Sequence, residues 1–512
     1  MSLHHKTHIH APGHSHGSRG GWHWMDHPAE YQQKVLTYLI KMGRNTDWGK
    51  QYGYKNIKTI AEFKSQVPIQ NYESLLPFIE RMLKGEQRVL WPTKIEWFAK
   101  SSGTTSERSK FIPVSYEAIS YCHMKGGQQI MVLYCHHNPN SNVYDGKCLV
   151  IGGSNSIGEH NSQIRYGDLS AVLMKNMMRV GRLFKAPEEE LMLMPDWNNK
   201  IELMAERCAN ENITHIAGVP TWNIVLIKRI LERTGAKNIL EVWPNLQLYL
   251  HGGVSFTPYE TQFKQLIPSD RVQYWQTYNA SEGFFGIQEN PYRKDMLLLL
   301  DHGVFYEFMP LGELDKEKPH TLQLHEVEVN VNYALVISTN AGLWRYLIGD
   351  TIKFTTLKPY RIQVTGRTKH FINAFGEELI VDNSDAAIAE AAKITGAKVN
   401  EYTAAPIYFS TNNNGGHEWL IEFDVPPNSL SYFIECLDNA LQKHNSDYAA
   451  KRFNNMAMKL PLVQIVTVGT FHKWLAYKGK LGGQHKVPRL ANHRQYIDEI
   501  KALVNTQNKE NN

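Results

Sequence analysis

Between residues 211 and 283 the chain alternates strand with helix, and its strands stop at polar turns. Ile213-Thr-His-Ile-Ala217 reads as a strand, and Pro220 suits the first turn of a helix. That helix sets Ile224, Ile227, Ile230 and Leu231 against Lys228, Arg229, Glu232 and Arg233, and Gly235 ends it. Leu246-Gln-Leu-Tyr-Leu250 stops at His251-Gly-Gly-Val, and Val272-Gln-Tyr-Trp-Gln-Thr-Tyr278 stops at Asn279-Ala-Ser-Glu-Gly283. Strands joined through helices must run mainly parallel. Ligands bind such sheets at the carboxyl ends of the strands, where the turns 251–255 and 279–283 fall.

Other periodicities surround this unit. Helices are expected over 28–42, 70–84 and 116–134, and a buried strand over 146–154. From Val327 the pattern becomes short alternating strands with tight turns (327–333, 334–339, 343–346, 353–356, 361–365), an antiparallel sheet or small barrel. The period changes again near Val364. A helix from Ser384, a hairpin around 412–416, a helix over 429–451 and a strand over 461–467 form a small βαβ-like unit. The expected division is a His-rich disordered tail over 1–24, a large domain over 25–364 and a smaller α+β domain over 365–512, with Gly366 able to absorb a backbone rotation.

Composition excludes several function classes. The net charge of +5 over 512 residues gives no reason to invoke nucleic acid or a membrane surface. The five cysteines are scattered and contain no Cys-x-x-Cys, which suits a reducing cytoplasm rather than a disulfide framework. No apolar run approaches the ~20 residues that span a bilayer. A cytoplasmic monomer acting on small molecules is expected.

Lys100-Ser-Ser-Gly-Thr-Thr-Ser-Glu-Arg-Ser-Lys110 lies between two extended segments. Gly103 permits close backbone approach, while Ser101, Ser102, Thr104 and Thr105 offer hydroxyls beside the loop amides. Lys110 adds a point charge. This is chemistry for holding a polyphosphate, although the spacing is not that of a Walker A loop. Glu282 is a hard oxygen ligand suited to Mg²⁺ on a nucleotide. Asp350 can accept from ribose hydroxyls, and Arg367 stands where the domains meet.

Together these residues carry a resemblance. Ser101-Ser-Gly-Thr-Thr…Lys110, Tyr278-Asn-Ala-Ser-Glu-Gly283, Trp344-Arg-Tyr-Leu-Ile-Gly-Asp350 and the run from Gly366-Arg-Thr to Glu377 resemble the auxin-responsive (Gretchen-Hagen) family of acyl-acid amido synthetases, in its bacterial branch. Gly218-Val-Pro-Thr-Trp222, Val242-Trp-Pro-Asn-Leu246, His251-Gly-Gly-Val-Ser-Phe256 and Lys486-Val-Pro-Arg489 add to it. The resemblance implies an adenylate-forming α/β fold with a large N-terminal domain and a small mobile C-terminal one. It implies ATP and Mg²⁺, a small carboxylic acid and an amine, most simply an amino acid. Carried over, the Ser/Thr loop and Lys110 hold the triphosphate. Gly252 and Gly253 lie near the base, and Tyr278 stacks on it within Tyr278-Asn279-Ala280-Ser281. Glu282 takes the metal, Asp350 the ribose, and Arg367 and Lys486 approach from the small domain, with Lys478 and Lys480 as rivals of Lys486.

The chemistry needs no dedicated nucleophile, because the acid itself attacks the α-phosphate and charge gathers on phosphate oxygens. His251 stands as a candidate base for the amine. The competing readings are an acyl-CoA ligase with a thiol acceptor and a non-catalytic nucleotide-binding protein.

Overall fold

The computed structural model describes residues 22–101, 110–151, 158–161, 163–177, 179–194, 196–253, 256, 259–314, 316–368, 371–372, 377, 379–407, 415–445, 448–449, 452, 458–480, 486–491 and 493–510. Ser102, Gly103, Thr104, Thr105 and the His-rich tail up to residue 21 lie outside them.

An eleven-stranded sheet organises the large domain. Gln273–Ala280, Leu248–Gly252, Ile213–Gly218, Lys147–Val150 and Lys185–Ala186 pair in parallel in that spatial order. On the other side, Gly283–Ile287, Met296–Leu298, Tyr360–Arg367, Tyr346–Leu357, Asn332–Thr339 and Val304–Pro310 follow in antiparallel pairing. The antiparallel strands expected as a small barrel therefore run on from the parallel ones. Gly283–Ile287 joins the two runs through its pairing with Gln273–Ala280, and Met296–Leu298 links it in turn to Tyr360–Arg367.

Side-chain alternation gives the parallel half two cores. Leu248 and Trp275 pack with Ile130 and Tyr134 of the helix Lys125–His137, whereas Leu149, Ile216 and Tyr249 pack with Ile227 and Phe263. The helix Pro220–Thr234 starts on Pro220 and ends at Gly235 with φ 72, as the sequence indicates. A second sheet, Lys110–Val114, Trp97–Ser101, Ile164–Gly167 and Gly158–Asn161, sets Lys110 opposite Ser101 across a hairpin.

Several expectations shift. Residues 343–346 and 353–356 are not separate strands, because Tyr346–Leu357 runs as one strand of 12 residues. Asp350 thus lies inside a strand rather than after one. The alternation over 327–333 is mostly loop, with the strand beginning at Asn332. The helix expected over 116–134 holds a π-helical stretch, Ile119–Met124, and continues as Lys125–His137. The helix expected over 429–451 is Leu430–His444.

In the small domain, Lys398–Ile407, Gly416–Val425 and Leu462–Val466 form a sheet between two helical layers. Trp419, Ile421 and Phe423 pack on Val381–Thr395 and Leu430–His444; Leu420, between them in sequence, faces Phe471, Trp474 and Ile500. Among the described residues no helix is long and apolar enough to cross a membrane.

A buried ion pair anchors the strand that carries Asp350. Arg345, with φ 44, is 4% exposed and Glu307 1%. Arg345 Nε donates to Glu307 Oε2 at 2.9 Å and Nη2 to Oε1 at 2.8 Å. Nη1 donates to the carbonyls of Lys64 at 2.8 Å and Val67 at 2.6 Å, tying the N-terminal helices to the sheet. Arg345→Met leaves a buried carboxylate without its partner. It should cost about 3–5 kcal/mol, read as a lowered urea midpoint. An unchanged midpoint would show that the pair anchors nothing.

Candidate active site

The strand ends of the sheet face a cleft of about 2420 Å³ whose far wall is the small domain. Met296–Leu298 is only 3 residues long, so the sheet is notched between Gly283–Ile287 and Tyr360–Arg367. Tyr278 and Asp350 meet across the notch, the Tyr278 hydroxyl donating to Asp350 Oδ2 at 2.7 Å. Burial and the adjoining carboxylate hold the phenol protonated, well above its usual range. Strand register places Arg367 opposite Asp350, and Arg367 Nε lies 2.9 Å from Asp350 Oδ1. The carboxylate in turn raises the Arg367 pKa.

Ser281 and Glu282 are the two turn residues between Ala280 and Gly283, which pair as the last rung of the hairpin. Burial raises the Glu282 carboxyl, and Lys110, the largest opposing influence, lowers it; Asp350 raises it further and Arg367 lowers it. One carboxylate is therefore held opposite two cations at the tip of a rigid hairpin. Lys110 is placed by its strand. Its ammonium lies 5.5 Å from the Tyr72 ring centroid, and Phe111 N donates to the Tyr72 hydroxyl at 2.8 Å.

Gly252 and Gly253 end the neighbouring strand. A Cβ on Gly252 would lie 2.6 Å from the Thr277 carbonyl oxygen, so only glycine lets these strands close. Lys486 Nζ donates to the Gly253 carbonyl, reaching over from the small domain. Its rival Lys478 instead pairs with Glu499 at 3.1 Å. Lys480 lines the same cleft. Lys486 keeps accessible surface, because it stands in a cleft and not in a core. The protein mass around it, with Arg367 and Arg489 adding repulsion, lowers its pKa to about 8 against the pull of Asp350 and Glu401.

His251 lines the cleft too, but among the described residues no hydrogen bond orients its ring, and its Nδ1 has no partner there. It is 4% exposed, stacks on Phe256 with ring centroids 4.2 Å apart, and is held neutral by burial with a pKa of about 3. Ser101 is the last residue of its strand.

Two groups escape a reading by motif. His123 Nδ1 lies 2.9 Å from Asn279 Oδ1, which puts an imidazole from the π-helical stretch against the Tyr278–Gly283 turn. The polar residue between Tyr278 and Ala280 was its one trace in the sequence. The second group surrounds Arg489, which pairs with Asp385 and lies 3.6 Å from Glu401. Burial raises Glu401 to about 7 against the pull of Arg489. Arg489 sits in the quoted Lys486-Val-Pro-Arg489 run, but nothing in the sequence singled out Glu401 or Asp385.

Comparison with known proteins follows the same lines. Residues 23–272 match the GH3 family N-terminal domain, 297–367 its central domain and 382–495 its C-terminal domain. The chain is 23% identical to the indole-3-acetic acid-amido synthetase GH3.3 of Arabidopsis thaliana, over 92% of this chain and 91% of that one. It is also 23% identical to the jasmonoyl–L-amino acid synthetase JAR4 of Nicotiana attenuata, over 90% of each. The structure of the GH3.15 acyl acid amido synthetase superposes with TM-score 0.76 at 15% identity, covering 92% of this chain and 93% of that one. A 2-hydroxyisobutyryl-CoA ligase in its postadenylation state gives TM-score 0.58 at 12% identity, over 93% and 91%.

The environment of Lys486 has a measurable consequence. Competitive labelling with acetic anhydride across pH should give this amine a midpoint near 8, against ~10.4 for an ordinary lysine. Removing a neighbouring cation in Arg367→Gln should move it upward. An ordinary midpoint would mean that Lys486 does not lodge in the cleft.

Proposed function

The chain belongs to the GH3 family, and from that premise we infer that it is an acyl-acid amido synthetase: it adenylates a small carboxylic acid with ATP and transfers the acyl group to the amine of an amino acid. The observation that carries this reading is the set Tyr278, Asp350, Arg367 and Glu282, gathered at the carboxyl ends of the strands with Lys110 and Lys486 facing it.

In the first half-reaction a carboxylate oxygen attacks the α-phosphorus, a new P–O bond forms, and diphosphate leaves. Lys110 and the Ser101–Thr105 segment are assigned to the phosphates, where positioned cations stabilise the charge that spreads over their oxygens. Asp350 is assigned to the ribose hydroxyls. Both its oxygens already hold protein donors, yet a carboxylate has lone pairs for about four. Tyr278, Gly252 and Gly253 flank the base, and Asn279, Ala280 and Ser281 complete the turn beside it.

Mg²⁺ is Glu282's assigned partner. Among the described residues no cluster of three or more His, Cys, Asp or Glu could cage a metal. Mg²⁺ is commonly held by one or two carboxylates, substrate phosphates and water, and Glu282 offers one such carboxylate. When bound it neutralises phosphate charge. Glu282 for its part contributes a desolvated carboxylate on a two-residue turn that has little freedom to retreat. In the second half-reaction an amine attacks the acyl carbon, the C–N bond forms and AMP departs. We place the mobile domain, expected over 365–512, beyond Arg367, because residues 365–367 belong to a paired strand of the large sheet; its Lys486 neutralises phosphate while it is closed, and the junction residue Arg367 does so in either arrangement. A cytoplasmic, monomeric enzyme fits the composition.

Acid-dependent pyrophosphate exchange across a panel of carboxylic acids tests the reading, followed by addition of amino acids or of a thiol. Exchange leading to an amide supports it. Exchange leading only to a thioester would transfer the chain to thiol acceptors, and a folded protein that exchanges with no acid would overturn adenylation. Within this reaction Lys110→Ala should lose about 2–3 kcal/mol of transition-state stabilisation, measured as kcat/KM. Glu282→Gln keeps the shape but not the charge and should abolish the Mg²⁺ dependence of exchange; a wild-type Mg²⁺ titration would make Glu282 structural.

A further inference from the structure

The helix that carries His123 is clamped onto the motif hairpin. Phe284 N donates to Cys122 Sγ at 3.2 Å. A Cβ on Gly126 would lie 2.6 Å from the Phe284 ring, so glycine there permits the contact. The first anchor lies within the π-helical stretch Ile119–Met124 and the second just past it; such an irregularity re-aims side chains and is frequent at functional sites. Its product is the His123 contact with Asn279.

The ring has a definite orientation. With Asn279 Oδ1 accepting, Nδ1 carries the proton, and Nε2 keeps a lone pair. The ring lines the cleft, and among the described residues Nε2 has no hydrogen-bond partner. Ser120 and Gly127 flank His123 on the cleft side of the helix. A Cβ on Gly127 would meet nothing within 4 Å, so the cleft is open one helical turn along from the ring, which is itself 3% exposed. Sheet alternation explains the placement. Tyr278 points towards Asp350 and the small domain, while Asn279 points the other way, towards the helix. On that side the cleft is lined by Ile119, Met124, Met131, Leu169 and Leu173, an apolar bay that suits an acyl group. His123 stands where this bay meets the polar strand ends.

We propose that His123 is the catalytic base of amide formation, with Asn279 as its positioning residue; the inference rests on the two-step reaction above. The amine nitrogen attacks the acyl carbon of the acyl-adenylate, the C–N bond forms and the acyl carbon–oxygen bond to phosphate breaks. AMP leaves with that electron pair, and the nitrogen's surplus proton passes to His123 Nε2 and on to water. Burial keeps the ring neutral, with a pKa of about 4, so the lone pair is free at any physiological pH. Adenylation releases no proton from the acid, which attacks as a carboxylate, so the first half-reaction has no use for this base.

The test is a comparison of the two half-reactions in His123→Gln. Amide formation should fall by about 10²-fold or more, the usual scale for losing a general base, while acid-dependent pyrophosphate exchange falls far less. Hydroxylamine, a weakly basic nucleophile that sheds its proton easily, should recover much of the loss. Equal losses in both half-reactions, or undiminished amide formation, would overturn the proposal. A second variant guards against a merely structural defect. Asn279→Asp sets a carboxylate against Nδ1–H and should raise the ring's basicity, moving the acid limb of amide formation to higher pH. The other groups around the ring are Cys122, and His302 with Asp301 and Lys125 behind it, and both variants leave these in place. An acid limb that stays put in Asn279→Asp would equally overturn it. If the wild type exchanges with no acid, the amido synthetase reading fails; if it makes amides and His123→Gln makes them as well, only the role of His123 fails.

Discussion

Much of this structure depends on one carboxylate held in a notch. Asp350 is bound by Arg367 from the adjoining strand and by Tyr278 from across the gap above Met296–Leu298. It thereby ties Gln273–Ala280 to Tyr346–Leu357 across the gap beyond the short strand Met296–Leu298. Without that bridge the backbone link from the Tyr278–Glu282 hairpin to the remaining antiparallel strands would be a three-residue strand, with side-chain contacts such as Phe285 on Tyr306 and Arg361 with Glu289 beside it. The contacts of Asp350 keep the Tyr278 phenol protonated and Arg367 charged, so the electrostatics of the strand ends follow from the link that joins them.

Close approach is the second constraint. Gly252 allows its strand to lie against Thr277, and Gly126 allows the helix to lie against Phe284. Each removes the space that a Cβ would need, so the turn Ser281–Glu282, the end of the glycine strand and the ring of His123 converge on one volume. Rigid strands supply that precision here, with loops adding to it. A site built at strand ends loses little order when a ligand leaves.

How much of this could be read beforehand follows from the range of the forces involved. The parallel unit was legible because its signals are local: Pro220 opening a helix, Gly235 closing it, and apolar periodicity between. Asp350, Arg367, Glu282 and Lys486 were legible as a set because their motifs stand in a recognisable order, and the structure does gather them at one cleft. What escaped depended on distant parts of the chain. The continuity of the sheet hinges on the three residues 296–298, which offer no pattern of their own. The strand through Asp350 looked broken because Gly349, with φ 90, reads as a turn, yet cross-strand pairing carries the backbone through it. His123 was invisible because its meaning comes from a contact with Asn279, 156 residues away. His251 was a reasonable base by position, but among the described residues it lacks an orienting partner such as His123 has in Asn279, and that is a tertiary fact.

The small domain is attached in a way that bears on the two-step chemistry. The segment carrying Lys486 and Arg489 is stitched to its sheet: Ala404 N donates to the Arg489 carbonyl at 2.8 Å, Ala491 N to the Ala404 carbonyl at 3.1 Å, and Thr403 Oγ1 to the Pro488 carbonyl at 2.6 Å. Lys486 therefore travels with the small domain. Contacts to the large domain are of another kind. Lys486 meets a carbonyl at Gly253, Arg489 Nη2 donates to the Tyr259 hydroxyl at 3.2 Å, Lys398 Nζ to Gln265 Oε1 at 2.9 Å, and Lys228 lies 3.7 Å from Asp424. The pairs at Lys398 and Lys228 are exposed and worth about 0–1 kcal/mol each, whereas the Arg489–Tyr259 contact is buried. Thr365, Gly366 and Arg367, by contrast, belong to the last strand of the large sheet, with Gly366 opposite Thr351. On the proposed domain motion, a pivot that spares this ladder lies beyond Arg367, which leaves Arg367 with Asp350 while Lys486 moves. On that reading the lysine acts only in the arrangement that docks the small domain, and the arginine acts in both.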